Sequence, residues 1–346
     1  MNEQEYLDLI CGRKRGFVAS MYRFGLRFAC WAYSAAMCWR NLAFDRGWRR
    51  IERASAPVIS VGNLTTGGAG KTPCVEYVAK YLRSRDVCVV ILSRGYGSTG
   101  RNDEAMMLEE CLPDVPHLQG PDRVALAQTA IEELEAELLL LDDGMQHRRL
   151  HRDLDLALVD VTNPWGYGSV LPRGLLREPR AGLRRAAFVI LTRCDQAPSA
   201  TVAEIENQVR QLAPDAVVLQ SVHRPAGWLH GGDTRPVDDM KGKSVGAFCG
   251  IGSPLAFRTT LQQLGLNIVG WREFPDHHPY DRNDVESLHD WAESMNVDAI
   301  VTTHKDLVKI RLKSMGSVPL KALRVEFQIL QGEDQLQSRI GTLIDR

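Results

Sequence analysis

Short apolar runs bounded by glycine, aspartate or arginine recur along the chain, and most are continuous rather than alternating. Val58 to Val61, Val87 to Leu92 (VCVVIL), Glu137 to Gly144 (ELLLLDDG), Leu154 to Val161 (LDLALVDV) and Ala186 to Leu191 each read as a strand buried on both faces. Val75 to Leu82 and Arg123 to Ala136 carry helical patterns between them, so strand and helix alternate as in a parallel sheet covered on two sides. Residues 233–242 are rich in Pro, Gly, Asp and Lys, which predicts a linker. A second α/β pattern follows. Ser244 to Pro254 predicts a strand, a glycine turn, Ser253 as N-cap and Pro254 as the first helical residue. Leu266 to Trp271 and Asp298 to Thr302 read as strands, Asp281 to Asp284 as a helix cap, and Thr303 to Ile310 as the start of a helix.

One stretch gives this pattern its chemistry. In VISVGNLTTGGAGKTP (Val58 to Pro73) an apolar strand runs into a glycine-rich turn, then Lys71 and Thr72, then a helical pattern from about Pro73. A loop rich in backbone N–H groups at a helix N-terminus is an anion cradle. Thr65, Thr66, Gly67, Gly68, Ala69 and Gly70 would wrap a nucleotide's phosphates, with Lys71 on the β/γ-phosphates and Thr72 offering its hydroxyl to Mg²⁺. A strict phosphate loop has glycine where this chain has Thr65. Some 70 residues on, ELLLLDDG ends in Asp142 and Asp143, carboxylates suited to holding that Mg²⁺ directly or through water. The expected fold is therefore α/β, a P-loop NTPase-type mostly parallel sheet over 48–235 with 330–346 packing back on it, and a smaller α/β domain over 240–329.

The segment before the loop, 1–47, reads as amphipathic. Arg13, Lys14 and Arg15 precede an apolar run whose uncharged core, Phe28 to Trp39, is too short to span a bilayer. Basic residues followed by apolar and then small ones also resemble a signal peptide, but a nucleotide site just downstream needs cytoplasmic ATP, which argues against export. Phe17, Met21, Phe24, Phe28 and Trp31 recur at three- and four-residue steps, with Arg23, Arg27 and Arg40 placed to meet anionic headgroups. That pattern predicts an interfacial helix; the alternative is a helix packed on its own domain.

Composition narrows the partners. A net charge of −1 gives no bulk attraction for nucleic acid. The eight cysteines include no CxxC pair, which argues against a zinc site or a disulfide framework. LPRGLLREPRAGLRR (Leu171 to Arg185) carries five arginines, either a solvated surface or a phosphate clamp. Thr192 to Asp195 weakly resembles the guanine-reading element of GTPases, which keeps a P-loop GTPase or regulatory ATPase as the alternative function.

Taken together, GNLTTGGAGKTP, SRGYGS (Ser93 to Ser98), Asp103-Glu104, LDDGMQHRRL, LPRGLLREP, the Asp276-His277 loop and THKDLVK resemble the tetraacyldisaccharide 4′-kinase family, the lipid A 4′-kinases. The match spans most of the chain, and the Thr65 departure is shared with that family's loop. The resemblance implies an ATP- and Mg²⁺-dependent phosphotransferase acting on the 4′-hydroxyl of an acylated glucosamine disaccharide 1-phosphate to form lipid IVA. It would work as a peripheral enzyme at the cytoplasmic face of the inner membrane. It further implies Asp103 as the catalytic base with His277 in support (His278 lies next to it), Arg177 on phosphate charge and Glu178 as an orienting group. Ala105 stands where the family often has proline.

Overall fold

The computed structural model describes residues 3–95 and 103–345, so Tyr96 to Ser98 of the SRGYGS motif lie outside the described residues. Its contacts divide the chain into two compact units. The first comprises residues 3–95, 114–222 and 329–345, and the second 103–113 and 223–328. In chain order the strands are β1 Val58–Asn63, β2 Val89–Ser93, β3 His117–Gln119, β4 Leu138–Asp142, β5 Leu154–Asp160, β6 Phe188–Thr192, β7 Val217–His230, β8 Asp233–Arg235, β9 Ser244–Cys249, β10 Asn267–Glu273, β11 Ala299–Thr303, β12 Ser314–Met315 and β13 Val318–Gln331. The helices are α1 Glu3–Ile10, α2 Phe17–Asp45, α3 Lys71–Arg83, α4 Asp103–Cys111, α5 Arg123–Leu134, α6 Ser199–Leu212, α7 Pro254–Gln263, α8 Arg282–Glu293, α9 His304–Ile310 and α10 Glu333–Ile344.

In the first unit the strands lie in the order β7-β6-β5-β1-β4-β2-β3, all parallel. β1, β2, β4 and β6 are buried along their whole length, which is why they read as unbroken apolar runs. β1 is central, and its pairing of Val61 with Asp142 of β4 carries the end of ELLLLD to the mouth of the phosphate loop. Ligand sites in open α/β sheets lie at this carboxyl edge. Gly62 is required there, since a Cβ on it would meet the Met145 backbone nitrogen at 2.8 Å. In the second unit the order is β10-β9-β11-β13-β7, with β9, β10, β11 and β13 parallel and β8 and β12 added as short antiparallel pairs.

Three features differ from the sequence reading. Residues 233–242 are not a linker: they form β8, paired back on β7, and a short 3₁₀ turn over Val237–Met240. Two of the passages between units instead lie inside 14-residue strands, β7 and β13. Their Pro225, Gly227 and Pro319 break the apolar pattern that marked the other strands. Asp103 to Pro113, expected within the first domain, belongs to the second unit. Ser253 does occupy the cap position of α7, but its side chain makes no capping bond.

The N-terminal segment forms two helices, α1 and α2, both in the first unit. α2 uses one face for packing. Tyr33 Oη donates to the Arg177 carbonyl at 2.8 Å, Asn41 Nδ2 to Glu178 Oε2 at 2.8 Å, and Arg40 to the Gln146 carbonyl. The other face holds Phe17, Met21, Phe24, Phe28 and Trp31, all exposed, the last at 81%. The arginines fare differently from expectation. Arg40 is spent on Gln146, and Arg23 donates to the Lys14 carbonyl at 2.7 Å, so Arg27 alone of the three is exposed and without such a bond to the protein backbone. Among the described residues no helix is long and apolar enough to cross a membrane.

Candidate active site

Two groups of polar side chains stand out, one in each unit. In the first unit β1 ends at Asn63 and the chain turns through Thr65 to Gly70 before α3 begins at Lys71. Gly70 is the N-cap with φ 87°, a left-handed conformation that glycine takes without steric cost. Lys71 and Thr72 are buried, and the first turn of a helix leaves its N–H groups free of intrahelical partners. The loop is braced from several sides. Thr66 N donates to the Leu175 carbonyl at 2.7 Å, Thr192 Oγ1 to the Ala69 carbonyl at 3.1 Å, and Arg193 Nη2 to the Gly68 carbonyl at 2.8 Å. Asn63 donates to Thr65 Oγ1 at 3.1 Å and accepts from Lys71 Nζ at 3.4 Å.

The two aspartates of LLLLDD differ sharply. Asp142 is the last residue of β4 and is buried. Asp143 sits at φ 55°, an uncommon conformation for a residue other than glycine, and this turns its carboxylate toward two cations. Arg177 Nη1 donates to it at 2.6 and 2.8 Å, and Lys71 Nζ lies at 3.7 Å. Glu178 is fully buried. Burial would raise its carboxyl, but Arg185, Gln146 and Asn41, bonded at 2.7, 3.0 and 2.8 Å, hold it below the usual value. These three bonds anchor the residue next to Arg177.

Two sequence features left open take other partners here. The arginines of LPRGLLREPRAGLRR are not a common phosphate clamp. Arg173 is bonded to the Ile10 carbonyl, Arg180 lies over Trp165, Arg184 reaches the Leu212 carbonyl and Arg185 reaches Glu178, so only Arg177 joins the phosphate-loop groups. The GTPase-like Thr192-Arg193 pair is occupied as well, since Arg193 also pairs with Asp160 and both residues brace the loop from behind. Asn63, Gln146, Tyr33 and Asn41 were absent from the sequence candidates. Their contacts join segments far apart in the chain, and no local spacing announces them.

In the second unit Asp103 opens α4 and is buried. Its Oδ1 lies 2.8 Å and its Oδ2 3.1 Å from Nδ1 of His277. Burial alone would raise the Asp103 carboxyl, yet the His277 bond and the ammonium groups of Lys305 and Lys309 hold it at about 2. Lys305 Nζ is 3.7 Å and Lys309 Nζ 3.5 Å from Asp103 Oδ2. His277 is raised from its ordinary value by the bond to Asp103, against burial and the charge of Lys305. His278, the other candidate, turns away to Asp284 Oδ2 at 2.6 Å and supports the cap of α8. Asp276 is near His277 Nε2 at 3.8 Å but does not hold the Nδ1 side, which belongs to Asp103. The lysines of THKDLVK, read as an ordinary helix start, flank this pair.

A glycine-lysine-threonine loop on the central strand of a parallel sheet, with an aspartate on the neighbouring strand, defines a P-loop nucleotide-binding protein of kinase type. Residues 22–345 match the family described as LpxK, tetraacyldisaccharide-1-P 4′-kinase. The chain is 38% identical over 337 residues to a tetraacyldisaccharide 4′-kinase of Anaeromyxobacter sp. (strain K), covering 90% of this chain and 88% of that protein. It is 35% identical over 343 residues to one of Geobacter sulfurreducens, covering 93% and 94%. The crystal structure of LpxK from Aquifex aeolicus in complex with ATP is similar at TM-score 0.73 and 29% identity, over 93% of this chain and 99% of that one. This chain belongs to the tetraacyldisaccharide 4′-kinase family.

Proposed function

We propose that the chain transfers the γ-phosphate of ATP to the 4′-hydroxyl of an acylated glucosamine disaccharide 1-phosphate, giving lipid IVA. The observation that carries this reading is the ionised Asp103, fixed by His277, on a chain that also has a phosphate loop. A sugar hydroxyl is a poor nucleophile near neutral pH, so transfer to it calls for a positioned base, and a nucleotide switch does not. Asp103 takes the hydroxyl proton on a carboxylate oxygen, while His277 holds that carboxylate in place. On the donor side the loop amides and Lys71 hold the phosphates. Arg177, kept in orientation by Asp143, faces their negative charge.

The donor set suits magnesium. Thr72, Asp142 and Asp143 offer hard oxygen atoms at the helix N-terminus and the adjoining strand end. Thr72 with Asp142 or Asp143 would hold the ion. A bound Mg²⁺ supplies charge neutralisation on the transferring phosphoryl group.

The exposed aromatic face of α2 supports work at a membrane surface, the cytoplasmic face of the inner membrane, where an acylated substrate resides. The deciding experiment is transfer of labelled γ-phosphate from ATP to tetraacyl disaccharide 1-phosphate, with GTP in parallel. Labelled lipid from ATP is the expected result. Tight GTP binding with no lipid product would overturn the kinase reading.

A further inference from the structure

Lys305 lies among more functional groups than a surface ion pair requires. On α9 it is one turn from Lys309, and its side chain is 16% exposed. Its ammonium is 3.3 Å from Asp276 Oδ1, 3.4 Å from Glu104 Oε1, 3.7 Å from Asp103 Oδ2 and 3.3 Å from His277 Nε2. The last contact is the informative one. A lysine ammonium has only donors, so a hydrogen bond from it to Nε2 requires a lone pair there, and the ring proton is then on Nδ1. Nδ1 is the atom that faces Asp103. The same contact therefore disfavours the imidazolium form of His277 and aims its one N–H at the base.

We infer that Lys305 is a positioning residue that holds His277 in the neutral Nδ1–H form and thereby sets the pH above which the Asp103–His277 pair is competent. This rests on the reading of Asp103 as the base. Among the described residues the charged groups facing His277 are Asp103 from α4, Asp276 from its own loop and Lys305 from α9, with Glu104 of α4 on the far side of Lys305. Lys309 and Asp306 stand behind, Lys309 on Asp103 and on Asp306 Oδ1 at 3.0 Å. Asp103 and Asp276 favour a second proton on His277, and Lys305 opposes it. His277 itself has φ 61°, an uncommon backbone conformation outside glycine, so its ring direction depends on such surrounding contacts. With imidazolium beside it, Asp103 would be a still weaker base for the sugar hydroxyl, so proton uptake by His277 lowers turnover.

The test uses the full chain with Lys305→Met, Lys305→Gln and Lys305→Arg. Histidine labelled with ¹⁵N, with the His277 signal identified by its loss in His277→Asn, reports tautomer and titration without reference to turnover. In the wild type His277 should show the Nδ1–H pattern above its midpoint. Loss of the charge in Lys305→Met should raise that midpoint by about one pH unit, and Lys305→Arg should leave it nearly in place. The acidic limb of kcat against pH should move by the same amount in the same variants. Should Lys305→Met fail to fold, Lys305→Gln carries the same reading, since it also lacks the charge. An unmoved midpoint with reduced turnover would make Lys305 a structural anchor only, and an Nε2–H pattern in the wild type would overturn the inference outright. If Asp103→Asn keeps its turnover, the base assignment fails instead, and the ¹⁵N readings still stand on their own.

Discussion

Asp103 is an ionised carboxylate pressed between an imidazole and two ammonium groups, and replacing it with asparagine removes the charge while keeping the shape. Asp103→Asn is expected to lower turnover by about a hundredfold to ten-thousandfold, with ATP affinity unchanged in an equilibrium titration. The same carboxyl links folding to pH. Its value is about 2 in the folded chain against an ordinary 3.8, so between these the unfolded chain binds more protons. The stabilisation is complete above the unfolded value and is lost as pH falls through the folded one. The stability difference between wild type and Asp103→Asn, measured by denaturant unfolding, should therefore shrink by ~2 kcal/mol between about pH 5 and pH 2. The phosphate loop and Asp142 were legible in the sequence because their chemistry is local: one strand end, one turn, one helix start. The pairing of Asp103 with His277 was not, since 174 positions separate them and only the family resemblance joined them. Lys305 was missed because a lysine in a polar helix start reads as solvated until the three carboxylates around it are seen.

Among the elements, α2 departs most from the ordinary arrangement of a globular unit. One face is fastened to the phosphate-loop unit by Tyr33, Arg40 and Asn41, and the other exposes a run of aromatic side chains, Phe24 and Phe28 stacked edge-to-face at 5.0 Å among them. The packed face and the exposed aromatic face are therefore compatible on one helix, and the interfacial role is the one to test. Burying an aromatic side chain from water is worth roughly 1.5–3 kcal/mol. Phe28→Ser with Trp31→Ser should thus weaken partitioning onto anionic vesicles about tenfold or more, while turnover on a detergent-dispersed substrate changes little. Co-sedimentation with vesicles measures the first and the labelled-phosphate assay the second. The central strands were legible for the reason that makes them stable, burial on both faces. β7 and β13 were not, because their half-exposed faces and prolines give neither a continuous nor an alternating apolar pattern.

For the molecule as a whole, nucleotide binding should be felt as stability. A ligand held only by the folded form adds ~2.7 kcal/mol at a hundred times its dissociation constant. ATP is expected to raise the melting temperature of the wild type and of Asp103→Asn, but not of Lys71→Ala, in differential scanning fluorimetry. Loss of the rise in Asp103→Asn would place that residue on the nucleotide side of the reaction. The division into units also bears on how the chain is made. The nucleotide-binding unit is assembled from three stretches, and its last part, α10, bonds Glu333 to the Tyr77 hydroxyl at 2.6 Å and buries Leu336, Ile340 and Leu343. Domains ordinarily fold as units during synthesis, from the N-terminus onward. Here the unit begun first is finished last, since the whole of residues 223–328 must leave the ribosome before α10 exists. A nascent chain that already contains the phosphate loop is still an open sheet waiting for its final helix, and through that interval a chaperone has apolar surface to hold.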